Sequence, residues 1–590
     1  MSSLDRKYKS GNDQIGFMAL LLALILGVPS VMWLTVTVGN LMRPRSEGVP
    51  AEFMARGLGV LKGDVEWRTT EWVILGGVVL LLLAVTTVWL IRKGMKARKR
   101  ILHDRAAQHM GSPRAMHEYT LKGVQKKAKR FGVESPGVFL GKMVRGGSGL
   151  YASWEDTMLH IWGTRTGKTS SQAAPSIVEA PGPVIATSNK RDLSDLTRDI
   201  RAEKGQVWVF DPQGVAGEDP TWWWNPLSYV TDAERAAEMA QNFALGAREP
   251  GSRGGDAHFD SAGKDLLAGL LLAASVAGRP ISQVHHWLTR STEEEPVQLL
   301  EEAGWQQEAD SVMSVIQQHE KYRGSVYSTA LDMAKCLKNR RIARWVNPDG
   351  PNDARPEFSA EDFVKGNNTL YALSKEGAGT AGPLVTALTV ATVTAAEEYA
   401  VEHRGGRMPT PMMCVLDEAA NVCRWANLPD LYSHYGSRGI VLSTFLQSWS
   451  QGVDVWGESG MKKLFSTANI VTYGGNVKED AYLRMLNSLI GQYTYTSQSS
   501  SRQKDGRSTS RQDSTDDILS VKDLGSLPKG RAVVFGSGTP PALLRTVPIS
   551  QRKYAAESEA SEAAHNRPAS EGPAETPSTG ANRWAQLVRN

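Results

Sequence analysis

Cysteine is scarce: Cys336, Cys414 and Cys423 are the only three in 590 residues, and none stands at metal-ligand spacing from another. That argues against both a disulfide framework and a zinc site, and points to a reducing cytoplasmic compartment for the bulk of the chain. The eleven histidines include no pair at helical spacing, so no metal cluster is expected. Charge of one sign is lacking too. A formal net charge of +5 permits contact with nucleic acid or an anionic membrane surface but demands neither. Hydrophobic residues at 41% and charged residues at 22% are ordinary globular usage, so the informative features are local. The length suits roughly four domain-sized units, or one large α/β core with insertions.

Two stretches lack charge altogether. Residues 15–38 (IGFMALLLALILGVPSVMWLTVTV) and 72–91 (WVILGGVVLLLLAVTTVWLI) each have the length needed to cross a hydrocarbon core. The first is long for a signal peptide and no clear small-residue cleavage site follows it, so two retained transmembrane helices are predicted. Arg6, Lys7 and Lys9 precede the first span, and Arg92, Lys93, Lys96, Arg98, Lys99 and Arg100 follow the second. Both flanks are therefore expected in the cytoplasm, with residues 41–71 as a small external loop. The basic cluster after the second span reads most simply as an electrostatic anchor to anionic lipid.

Residues 159–171 read LHIWGTRTGKTSS, an apolar strand turning into a glycine-bearing loop and then helix-compatible residues. This is the pattern of a P-loop. Glycines let backbone N–H groups approach phosphate oxygens, a lysine reaches the β- and γ-phosphates, and a hydroxyl ligates Mg²⁺. Gly163, Thr164, Arg165, Thr166, Gly167, Lys168, Thr169 and Ser170 are the predicted nucleotide-binding residues, with the dipole of a helix beginning near Lys168 adding to the anion site. Trp162 stands where the usual pattern has its first glycine. By itself the segment also fits an ordinary strand-turn-helix.

A second element raises the nucleotide reading. Residues 411–421 read PMMCVLDEAAN, a short apolar run ending in paired acids, as when a buried strand delivers carboxylates to a sheet's C-terminal edge. Asp417, with Thr169, is the predicted Mg²⁺ ligand, and Glu418 the predicted base that orients and deprotonates the attacking water. Paired acids that merely cap a following helix are the plainer alternative. Further on, residues 439–451 (GIVLSTFLQSWSQ) form another apolar strand with Gln447 just beyond it, placed to report the γ-phosphate. Arg438, just before that strand, is a candidate arginine finger for a neighbouring subunit's ATP, or a surface arginine.

With those residues in order, the chain resembles the TraG-like coupling ATPases of conjugative type IV secretion systems. The likeness extends to SNKRDL at 188–193 with Thr197 and Arg198, VWVFDP at 207–212, WNPL at 224–227, residues 259–272, GSVYSTALDMAKC at 324–336, NTLYAL at 368–373 and LPKGRAVVF at 527–535. Together these span most of residues 151–549, and the N-terminal pair of spans matches the family's usual anchor. The departures are Trp162 and the register around Arg438.

Strands alternating with helical patterns predict an α/β fold with a mainly parallel sheet and ligands at the strands' carboxyl ends. Helix formers dominate residues 232–355, so an all-α insertion is expected there. The resemblance implies a RecA-like P-loop domain over 151–231 and 356–549, after a cytoplasmic N-terminus (1–14), a membrane anchor (15–91) and a basic juxtamembrane linker (92–150). It further implies a membrane-bound homo-hexamer using ATP and Mg²⁺, with DNA, a relaxase–DNA complex and secretion-channel proteins as partners. Residues 497–516 are polar without hydrophobic period and predict a disordered loop, as does the tail over 550–590. Residues 582–587 (NRWAQL) are a candidate docking helix. The rival readings are a chromosome-segregation or protein-secretion translocase with the same nucleotide chemistry, and a non-catalytic membrane receptor for a relaxase–DNA complex.

Overall fold

The computed structural model describes residues 30–42, 69–98, 102–248, 257–377, 379–503 and 506–565. The chain forms two units, Met1–Arg105 and Ala106–Asn590. In the first, helices Ser30–Met42 and Thr69–Arg98 are described. The second predicted span, 72–91, lies wholly inside the longer helix; residues 15–29 of the first lie outside the described residues. Thr35, Val36 and Glu71 are buried, and a Cβ on Gly39 would come within 2.7 Å of Glu71 Cγ, so the missing side chain admits a close approach there. Leu41, Met42, Trp72, Val73, Leu80 and Leu81 are exposed.

Among the described residues, the one helix that passes for a membrane span by both length and composition lies elsewhere. It is Gly382–Val401, mostly buried in the second unit. Its low polarity follows from being enclosed on nearly all sides, which removes the need for a polar face.

The second unit is built on an eleven-stranded sheet. Its strands are β1 (Val138–Met143), β2 (Gly149–Ala152), β3 (Met158–Ile161), β4 (Val184–Ser188), β5 (Val207–Phe210), β6 (Thr369–Leu373), β7 (Met412–Leu416), β8 (Ile440–Leu446), β9 (Ile470–Tyr473), β12 (Arg531–Gly536) and β13 (Ala542–Arg545), the intervening β10 and β11 forming a separate hairpin. The order is β2-β1-β13-β12-β9-β3-β8-β7-β4-β6-β5. From β9 to β5 every pairing is parallel, whereas β12, β13, β1 and β2 extend the sheet in antiparallel pairings.

Strands covered on both faces lose the alternation of a half-exposed sheet and read as continuous apolar runs. In β7, Met412, Cys414 and Leu416 enter one buried cluster while Met413 and Val415 enter another. The same division separates Ile440 and Leu442 of β8 from Val441. Burial pushes the Cys336 and Cys423 thiols up to about 12 and raises that of Cys414 as well, so all three are inert packing residues.

Every described element from Ala233 to Val346 is helical, and its core residues, among them Leu270, Trp287 and Trp345, join the first cluster rather than forming a separate core. Arg201 is a buried tie near the end of helix Asp192–Ala202. Its guanidinium donates to Thr369 Oγ1 at 2.7 Å and to the carbonyls of Ala180, Gly182 and Asn367 at 2.9, 2.8 and 3.0 Å. Those bonds lock the entries to β4 and β6.

Three segments differ from the sequence expectations. Residues 92–150 are no simple linker, because they supply β1 and the start of β2; β1 pairs with β13 from the C-terminal part of the chain, and β2 pairs with β1. Residues 497–503 and 506–516 fall within two paired strands, β10 (Gln492–Gln503) and β11 (Gly506–Asp517), in continuous antiparallel register. Their ladder uses backbone groups, which a polar sequence supplies as well as an apolar one. Within 550–590, helix Ala555–His565 packs on helix Asp192–Ala202, where Ser558 and Ser561 donate to the carbonyls of Leu196 and Asp195. The docking segment 582–587 lies outside the described residues.

Candidate functional site

Three adjacent parallel strands end at one edge of the sheet: β3, β8 and β7, with β8 in the middle. Parallel strands bring their carboxyl ends together, which is where ligands of open α/β sheets sit. Beyond β3 runs the predicted P-loop, beyond β7 the paired acids, and beyond β8 Gln447.

The P-loop is held from beneath and from one side. Trp162 N donates to Leu446 O at 3.0 Å and Gly163 N to Gly475 O at 3.0 Å. Thr166 Oγ1 donates to Gly163 O at 2.7 Å, closing the loop on itself, and Asn476 Nδ2 donates to Thr164 O at 2.9 Å. Arg165 at φ 60° and Gly167 at φ 91° both adopt the left-handed region, so successive peptides turn to form the concave cradle. A Cβ on Gly163 would lie 2.0 Å from Asn476 O, so only glycine fits. The helix after Lys168 opens with a π-turn, Thr169–Ala173, before Ala174–Glu179. Ser170 Oγ donates back to Gly167 O at 3.3 Å, and Thr169 is partly exposed.

Trp162 faces away from this cradle. Its buried ring lies on the backbone of Gly474, where a Cβ would come within 2.0 Å of the indole, and its Nε1 donates to Thr472 Oγ1 at 2.7 Å. The Thr472 hydroxyl also shares a hydrogen bond with His160 Nδ1 at 2.6 Å, and His160 Nε2 shares one with Ser443 Oγ at 3.1 Å, so both ring nitrogens are satisfied. Burial drives the His160 pKa down to about 3, so the imidazole stays neutral. Tryptophan thus replaces the first glycine by taking the strand-side position and leaves the phosphate side to Gly163 and Gly167.

Glu418 occupies the left-handed region at φ 54°, ψ 41°, an unusual place for a residue with a Cβ. That turn follows immediately on β7 and presents its carboxylate to the P-loop. Lys168 Nζ pairs with Glu418 Oε1 and lies 3.1 Å from Asp417 Oδ1. Gln447 Nε2 donates to the other Glu418 oxygen at 2.7 Å, and Gln447 N donates to Gln451 Oε1 at 2.9 Å. Thr187 Oγ1 of β4 donates to the Asp417 carbonyl at 3.1 Å.

Burial raises the Asp417 carboxyl to about 6, a rise that Lys168 opposes and Glu418 reinforces. For Lys168 burial alone would lower the pKa, but the Asp417 and Glu418 carboxylates outweigh it and hold the ammonium above its usual value. Asp417 Oδ1 is buried with the Lys168 ammonium as its charged neighbour, and the Thr169 hydroxyl has no hydrogen-bond partner among the described residues. A buried carboxylate and a hydroxyl without a hydrogen-bond partner are donor types that suit a hard divalent cation such as Mg²⁺.

The structure therefore gathers Lys168, Asp417, Glu418 and Gln447, together with the loop from Gly163 to Ser170, at one edge. Arg438 is elsewhere. It precedes β8, at the opposite end of that strand from Gln447, and its guanidinium lies 3.8 Å from Glu397. Sequence reading missed the supports contributed by Gly475 and Asn476; an asparagine held at φ 58° after an apolar strand was the available signal.

Residues 411–529 match the family model described as the TraM recognition site of TraD and TraG. No curated protein matches the chain. Among solved structures, the unbound monoclinic form of the bacterial conjugative coupling protein TrwBdeltaN70 aligns with a TM-score of 0.50 at 16% identity, over 72% of this chain and 91% of that one. The plasmid coupling protein TrwB in complex with ADP and Mg²⁺ aligns at 0.48 and 16% identity, over 68% and 87%. VirB4 of Thermoanaerobacter pseudethanolicus aligns at 0.37 and 13%, over 71% and 98%. At such identities the likeness is one of fold, and it rests on the first of the three.

Proposed function

We propose that this chain is a TraG-like coupling protein, a membrane-anchored ATPase that recruits a relaxase–DNA complex and drives DNA toward a type IV secretion channel. The observation that carries the ATPase reading is the shared carboxylate: Glu418 lies between the P-loop lysine and the Gln447 amide. In this arrangement Lys168 neutralises the residue assigned as base.

Binding of a nucleotide triphosphate gives Lys168 a stronger anionic partner, together with the backbone N–H groups of Gly163 to Ser170. Glu418 is then released from its ion pair while Gln447 keeps it oriented, and it accepts the proton of the attacking water. Thr169 and Asp417 would hold Mg²⁺, which would supply charge neutralisation at the phosphates. Hydrolysis is thus withheld until the site is filled. Gln447, bonded to Glu418 and lying at the end of the central strand, passes the state of the site to β8 and to helix Trp449–Thr467. Arg438, distant from the site of its own chain, acts as arginine finger in a neighbouring subunit of a homo-hexamer. Helices Ser30–Met42 and Thr69–Arg98 belong to a two-pass anchor in the bacterial cell membrane, with both termini cytoplasmic. The turn of the buried Trp162 ring away from the phosphate loop supports a working cradle over a non-catalytic receptor.

The test uses the full chain in detergent or lipid discs. ATP turnover should rise when single- or double-stranded DNA is added, and Lys168→Ala and Glu418→Gln should each abolish it. Turnover indifferent to DNA would sink the motor reading. DNA transfer by a strain carrying Lys168→Ala then separates coupling from a bystander role: unchanged transfer rules out an essential motor.

A further inference from the structure

Lys168 enters the site already matched by two carboxylates, Asp417 and Glu418, so these three side chains carry one more negative charge than positive. A polyphosphate bound there calls for further cationic charge. The structure holds a cation in place for it. Residues 527–530 fold into a tight turn ahead of β12, with Arg531 N donating to Pro528 O at 3.1 Å, Thr546 N donating to Gly530 O at 3.1 Å and Gly530 at φ 87°. The turn is pressed against the loop that supports the P-loop: a Cβ on Gly475 would lie 2.7 Å from Leu527 O. Lys529 projects from it, and its Cε lies 3.7 Å from where a Cβ on Gly167 would stand. The side chain is exposed and forms no ion pair among the described residues.

We propose that Lys529 is a second phosphate-contacting lysine, closing the cradle over the polyphosphate from the side opposite the Asp417–Glu418 pair; the proposal rests on the nucleotide-site reading above. A lysine is a flexible point charge, suited to a polyanion whose exact pose changes through a hydrolytic cycle. Its backbone is fixed to the same Gly475 loop that anchors Gly163, so turn and cradle move as one. Lys529 is also uncompensated, whereas Lys168 must first leave its carboxylates. It therefore makes the initial electrostatic contact with an incoming anion.

The experiment measures binding of a fluorescent ATP analogue to the full chain, with competition by inorganic tripolyphosphate, for the native protein and for Lys529→Ala, Lys529→Arg and Lys168→Ala. Lys529→Ala should weaken both ATP and tripolyphosphate by about tenfold, the scale of one charge-assisted contact, with unchanged thermal midpoint, and Lys529→Arg should restore most of the loss. Native-like tripolyphosphate binding by Lys529→Ala, alongside weakened binding by Lys168→Ala, overturns the proposal and leaves the site reading standing. A loss for ATP with none for tripolyphosphate also overturns it, since Lys529 would then touch base or ribose. Native binding by Lys168→Ala removes the site reading and this proposal together.

Discussion

The two oxygens of Glu418 are divided between two donors: Oε1 pairs with Lys168 of the P-loop, and Oε2 accepts from Gln447 Nε2 at 2.7 Å. One carboxylate thereby ties together the ends of three neighbouring strands. Removing the amide with Gln447→Ala leaves Glu418 charged, buried and without its orienting donor. Turnover should fall roughly tenfold to a hundredfold, the worth of one hydrogen bond to a charged group, while nucleotide affinity stays within about twofold. Steady-state ATPase kinetics set beside equilibrium binding check this; a parallel loss of affinity would contradict it.

Trp162→Gly restores the usual first glycine of a P-loop, and should nonetheless harm the protein. The change empties the space of a buried indole and leaves the Thr472 hydroxyl without its donor. A loss of about 3–5 kcal/mol is expected. Urea denaturation gives the answer, and an unshifted midpoint would show that the indole is not the anchor described above.

Asp417 titrates near 6 in the folded protein, against an ordinary aspartate value of about 3.9 in the unfolded chain. Between those values the folded state holds the extra proton, so the stability this group contributes is full below about pH 4 and is lost as pH rises through about 6. Cation binding runs the other way, because Mg²⁺ requires the ionised carboxylate. Mg²⁺-dependent nucleotide binding should tighten from pH 5 to pH 7 in the native chain, and the corresponding Asp417→Asn titration should be flat.

Arg201→Lys keeps the charge and discards the planar fork that reaches a hydroxyl and three carbonyls at once. Destabilisation of about 2–4 kcal/mol is expected from the carbonyls left unsatisfied. Chemical denaturation measures it, and nucleotide affinity at native conditions should not change, since the tie lies at the strands' entries rather than their ends.

The P-loop, the paired acids and Gln447 are legible in the sequence because each is a local pattern: an apolar strand followed at once by the residues it delivers. Local patterns do not report long-range pairing. Nothing near Val138 signals that β1 joins β13, which lies close to the other end of the chain, with β2 added at the edge beyond β1. The β10–β11 hairpin escapes for another reason, since its ladder depends on main-chain groups and its polar residues carry no period. Trp162 shows a third limit. A motif records which residue occupies a position but not which way its side chain turns, and the choice here is made by Gly474 and Thr472, far along the chain.

Helix Gly382–Val401 is long and apolar enough to cross a membrane, yet it is mostly buried in the second unit, packed on helices Ala233–Ala247 and Ala360–Lys365 and on β6 and β8. With the two-pass anchor proposed above engaged at the membrane, the nascent chain would expose this helix to the same translocon. Kinetic partitioning follows: the strands made earlier, β3 to β6, must form a docking surface quickly enough to sequester the helix as it emerges. Substitutions that slow that collapse would then be read out as wrong topology, with the second half of the chain stranded on the far side of the bilayer, before any loss of equilibrium stability became measurable.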